Sequence, residues 1–260
     1  MTDRLYTSRL QKGGALLDDM RTLVRFWKDQ GEHRQKVWIV SENILGKHSR
    51  TRALDVYQEA FVPRFIKGNP PEAWKIVRPL EDRELSIDII RPIYYWITAR
   101  SEPILYDFVV EKITPKAKSM DLAVRVDEAE RWVQKKIKSQ GRSWSRSVTT
   151  RVAQSMLAAL RDFGILEGKA KKQIAPSYLP VESFAYLAFC LLKSGASGEK
   201  LIKHDDWRLF LLNQSVVERL FLDAHQSGFL RYEAAGRIHR LDFFANTIEE
   251  MADVIVGRRN

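Results

Sequence analysis

Residues 127–163 read DEAERWVQKKIKSQGRSWSRSVTTRVAQSMLAALRDF. Two helices are legible here, one on each side of Gly141. In the first, 127–140, Asp127 can cap, acids Glu128 and Glu130 stand in the opening turn, and Lys135, Lys136 and Lys138 fall toward the end. That order matches the helix macrodipole. Gly141 ends the helix, as a residue suited to the left-handed conformation does. Ser143 or Ser145 opens the second helix, where Val148, Val152, Met156, Leu157, Leu160 and Phe163 recur at helical spacing, and Gly164 closes it. The connection has helix-turn-helix length. A β-like basic stretch, 168–175, follows.

Charge singles out the same region. From Lys112 to Ala175 there are fifteen Lys/Arg and six Asp/Glu, net +9 of the +10 carried by all 260 residues. A concentrated cationic block gathers polyanions by releasing their counterions. Because apolar residues thread it at helical spacing, it reads as a folded surface and not as a tail. Recognition helices read base edges from their first turns, and Thr149, Thr150, Arg151 and Gln154 occupy that part of the second helix. Arg142, Ser143 and Arg146 lie where phosphates would pass, and Lys169, Lys171 and Lys172 form a basic wing. The competing reading is an ordinary helical pair with no ligand.

The remaining chain is also helical in pattern. Stripes are expected from about 16 to 27, from 37 to Gly46 and from 51 to 66, with a break at Lys67-Gly68-Asn69-Pro70-Pro71. A second candidate anion site lies at the turn before residue 51. Ser49 is a good cap, and Lys47, His48, Arg50 and Arg52 converge on a helix N-terminus. A plain solvated turn is the alternative. Residues 85–97 suit a buried helix interrupted near Pro92 better than a strand pair, because the apolar run is long. Another helix spans 104–113, ended by Thr114-Pro115. Residues 199–241 repeat the helix–helix–hairpin order, with the turn at Ala235-Gly236, but Asp205, Asp206, Glu218 and Asp223 bring the helices close to neutral. Packing or partner contact is the expectation there. The fold class is therefore mostly α, with helix-turn-helix and winged-helix-like elements and short β-hairpin wings. Three segments are expected: 1–68, 69–176 and 177–260.

Other chemistries find little support. Cys190 is the single cysteine and sits among apolar residues, as an inert core thiol in a reducing compartment would. The five histidines have no metal-ligand spacing. Neither a phosphate-binding glycine loop nor a nucleophile elbow occurs. The apolar runs fall short of the ~20 residues of a membrane span. No catalytic residue, metal or cofactor is expected, and the location is expected to be cytoplasmic.

Three stretches carry a family resemblance: Tyr6-Thr7-Ser8-Arg9-Leu10-Gln11-Lys12-Gly13-Gly14-Ala15-Leu16-Leu17, Glu42-Asn43-Ile44-Leu45-Gly46-Lys47 and Leu160-Arg161-Asp162-Phe163-Gly164-Ile165-Leu166. The pattern resembles the BrxA family of BREX phage-defence systems over essentially the whole chain. The resemblance implies an all-helical globular monomer with two helix-turn-helix elements that binds double-stranded DNA, with other BREX components as partners. It carries no catalytic motif and transfers no DNA-contacting residue. Two other classes stay open: an RNA-binding adaptor, and an assembly scaffold whose basic face docks an acidic protein.

Overall fold

A computed structural model describes residues 5–28, 30–236 and 238–257. It is mostly helical, with two small antiparallel sheets. The chain forms two compact units: residues 1–74 with 97–176, and residues 75–96 with 177–260.

The first unit opens with a 3-10 turn, Arg9–Lys12, followed by α1 (Leu17–Phe26), α2 (Glu32–Ser41) and α3 (Arg50–Val56). Ser49 caps α3, its side chain accepting from the Arg52 amide, as the sequence predicts. The helix then continues in π-helical form through Tyr57–Ile66 with Pro63 inside it. Phe61 stacks on Phe65 in this segment, ring centroids 5.5 Å apart, and meets Trp27 at a tilt, 5.0 Å apart. Arg64 is fully buried. Its Nε donates to Glu102 Oε1 at 3.1 Å, and its two terminal nitrogens donate to the Gly14 and Gly13 carbonyls. A buried charge is tolerated only when paired and hydrogen-bonded, and this one also ties down the segment before α1.

α5 (Ile87–Ser101) runs through Pro92 without interruption. This corrects the expected break: an internal proline removes one backbone donor, and packing on both sides of Pro92 keeps the rest helical. Residues 93–99 are all buried. α6 (Pro103–Phe108) passes into a π-helical turn, Val109–Ile113, and then α7 (Thr114–Lys116). Thr114-Pro115 therefore does not end the helix, because proline is acceptable where a new helical turn begins.

Next come β1 (Ala123–Val124), α8 (Val126–Ser139), α9 (Arg146–Asp162), β2 (Leu166–Glu167) and β3 (Lys172–Ile174). The strands form one antiparallel sheet in the order β1-β3-β2, Ala123 opposite Gln173 and Leu166 opposite Ile174. α8 begins one residue before Asp127, with Arg125 at the cap position. Asp127 is thus a first-turn acid and not the cap. α8 packs on α9, and Val133 and Ile137 on the first and Val152, Met156 and Leu160 on the second are buried.

The second unit contains α4 (Trp74–Asp82) from Lys75 onward, the first part of α5, then α10 (Val181–Lys193), α11 (Glu199–Ile202), a 3-10 turn Asp205–Phe210, α12 (Gln214–Gln226), the hairpin β4 (Leu230–Ala235) with β5 (Ile238–Phe243), and α13 (Ile248–Gly257). Ala235 pairs with Ile238, so Ala235 belongs to the strand and not to the expected turn. The core centres on Phe184, which stacks on Trp207 and meets Phe221 edge-on, each at 4.7 Å. Buried polar groups are matched: Trp96 donates to Asp206 at 2.7 Å, and Tyr186 donates to the Ile76 carbonyl at 2.7 Å. Cys190 is buried in α10.

Candidate nucleic-acid interface

The turn between α8 and α9 is built from local chemistry. The Gly141 amide donates to the Lys138 carbonyl and the Arg142 amide to the Ile137 carbonyl, which is the double closure of a Schellman motif. Gly141 stands at φ +67, a region open to glycine and costly for a residue with a Cβ. Four residues on, Ser145 caps α9 by accepting from the Val148 amide. Of the two serines considered as caps, Ser145 is the one used. α9 closes as α8 does, with the Ile165 amide donating to the Leu160 carbonyl.

Arg146, Ser147, Arg151 and Gln154 are exposed on α9, and Thr150 is half-buried. No carboxylate occurs on α9 before Asp162, which pairs with Arg161 at 2.6 Å. Ser147 was not singled out by its sequence, yet it lies on the same exposed face as Thr150 and Gln154. The Ser155–Ala159 side is covered: a Cβ built on Gly14 would stand 3.1 Å from the Ser155 carbonyl oxygen. Past α9, Lys169 and Lys171 are exposed at the hairpin tip, while Lys172 is half-buried and donates to the Lys169 carbonyl.

Two other candidates make hydrogen bonds to the protein's own backbone. Thr149 is buried and its hydroxyl donates to the Ser145 carbonyl, so it does not lie on the outer face of α9. Arg142 donates to the Tyr6 carbonyl at 2.7 Å. The Tyr6 hydroxyl in turn donates to Asp107 at 2.6 Å and its amide to Gln140 at 3.1 Å. Arg142 thus fastens the N-terminal segment to the interhelical turn. Ser143 beside it is exposed.

At the α2–α3 turn, Lys47 pairs with Asp19 at 2.7 Å and Arg52 donates to the Lys12 carbonyl, whereas His48 and Arg50 are exposed. Only half of that cluster faces outward. A groove of about 860 Å³ lies between α8 and the π-helical turn, and its two carboxylates pair with two of its four lysines, Glu111 with Lys136 and Glu128 with Lys116. Among the described residues no group of His, Cys, Asp and Glu could hold a metal ion. None of the described helices is long and apolar enough to cross a membrane.

A mostly helical fold with this two-helix turn and short hairpin defines the class of the protein. The BrxA family model matches residues 4–189, most of the chain, and the chain belongs to that family. Membership makes it a component of the BREX phage-defence systems. A crystal structure of an uncharacterized protein from Magnetospirillum magneticum is similar in fold, with a TM-score of 0.59 at 14% identity over 79% of this chain and 97% of that one. No curated protein matches the chain.

Proposed function

We propose that this chain is a non-enzymatic, cytoplasmic, double-stranded DNA-binding component of its BREX system, acting as a monomer beside other BREX components. The supporting observation is the order α6–α7–β1–α8–α9–β2–β3 with the sheet order β1-β3-β2, which we read as a winged-helix-like unit; its second helix exposes Arg146, Arg151 and Gln154 and its hairpin exposes Lys169 and Lys171. The helix enters a groove and the wing rests on the adjacent backbone. Phosphate contacts dominate, so affinity falls steeply with salt while sequence preference stays small.

The test is binding of a labelled random-sequence duplex across a salt series, with an equal-length RNA duplex as competitor. Tight, salt-steep DNA binding that RNA does not displace supports the reading. Displacement by RNA favours an RNA adaptor. No binding at low salt, together with capture of a BREX subunit, favours a scaffold.

A further inference from the structure

A cavity of about 500 Å³ lies in the first unit, where the π-helical segment Tyr57–Ile66 ends beside the end of α5. Its polar lining is Arg9, Gln58, Lys67, Asn69, Arg100 and Ser101, the rest being apolar side chains and Gly68. Three of the lining residues are cations and none is a carboxylate.

Two features show that the wall is built to hold its shape. A Cβ on Gly68 would stand 2.3 Å from both the Arg64 carbonyl oxygen and the Ser101 hydroxyl, so the loop lies tight against its neighbours. The Ser101 hydroxyl donates to the Arg64 carbonyl and accepts from the Asn69 amide. Arg100 is steered by its bond to Asn69 Oδ1 at 3.2 Å. The Nε of Arg9 is buried without a hydrogen-bond partner. Unsatisfied buried donors are costly, and a ligand oxygen would remove that cost. Guanidinium groups suit phosphate oxygens because their donors form a planar fork.

We propose that this cavity binds a phosphate group carried on a nucleotide-sized molecule. Its volume falls within the range of small-ligand sites. Arg9, Lys67 and Arg100 take the phosphate, while the Gln58 and Asn69 side chains face the remainder. The phosphate can come from a free nucleotide or from a nucleic-acid strand. The inference does not depend on α9 contacting DNA, since the cavity shares no residue with α9, the α8–α9 turn or the wing.

Titration calorimetry of the full chain with inorganic phosphate and with 2′-deoxyadenosine 5′-monophosphate tests it. Both probes should bind, and Arg9→Gln and Lys67→Gln should each weaken binding at least tenfold with thermal melting unchanged. Lys67 is exposed, so its variant keeps the test valid if Arg9→Gln is unstable. Failure of both probes to bind overturns the proposal, as does binding that neither variant alters. A short duplex that displaces the mononucleotide marks a strand as the source. Simultaneous binding of the two marks a free nucleotide.

Discussion

Residues 126–174 and 199–243 follow the same plan, helix, helix, hairpin, and close it with the same devices. Ser145 caps α9 and Asn213 caps α12 through side-chain oxygens. Gly164 ends α9 and Gly228 ends α12, both at positive φ. The charges differ. The first segment has eleven Lys/Arg against five Asp/Glu, the second seven against seven. In the second, hairpin cations are met by acids two residues away, Arg231 by Glu233 at 2.7 Å and Arg240 by Asp242 at 2.9 Å. Its exposed apolar side chains Leu222 and Ile238 are at least 49% accessible, as a protein-facing surface would be. Local folding rules thus give one scaffold, and surface charge decides which copy suits a polyanion.

The largest effect expected falls on the anchor of the first unit. Arg64→Met strands the buried Glu102 carboxylate and should cost about 3–5 kcal/mol. Hydrogen exchange should show faster opening in the first unit and little change in α10 and α12. Uniform loss across both units would mean that they do not unfold separately.

Charge comes second. Arg146→Ala/Arg151→Ala/Lys171→Ala should weaken duplex binding roughly a hundredfold and lower the salt slope by about 3. The matched change in the other segment, Arg219→Ala/Arg231→Ala/Arg240→Ala, should leave both nearly unchanged. Equal losses from the two triples would erase the distinction between the segments.

The wing turns give a smaller contrast. Gly168 sits at φ +85, and a Cβ there would stand 2.1 Å from the Lys171 carbonyl oxygen; Gly236 sits at φ +61 with open space around it. Gly168→Ala should cost about 2–3 kcal/mol and Gly236→Ala about 1 kcal/mol, measured by denaturant unfolding.

The smallest effect is on pH. Burial, then the nearby Cys190, holds the Tyr186 hydroxyl well above the ordinary tyrosine range. With the folded value raised, its contribution is fully present below about pH 10 and is lost as pH climbs beyond that. Tyr186→Phe should cost about 1 kcal/mol at neutral pH and flatten the alkaline decline, which pH-dependent melting curves would register.

The helix pair around Gly141, the Ser49 cap, the cationic block and the family signature were legible because each rests on residues a few positions apart or on composition alone. Strand β1 was not, since two residues carry no period and become a strand only by pairing with β3. Nor could the cations that bond to distant backbone be told from the others: Arg142 donates to the Tyr6 carbonyl, 136 positions away, and Arg52 to the Lys12 carbonyl, 40 positions away. Thr149 differs from Thr150 by a single 100° helical step, and that step turns its hydroxyl inward.

The sequence by itself determined the helical class, the turns and the place of the charge, because i to i+4 hydrogen bonding, caps and net charge are local or additive properties. Tertiary structure decided which cations face solvent, how α9 is covered on one side, and that Arg9, Lys67 and Arg100 line one cavity. Those outcomes depend on contacts between residues far apart in the chain, whose closure is set by packing and by the need to pair buried polar groups.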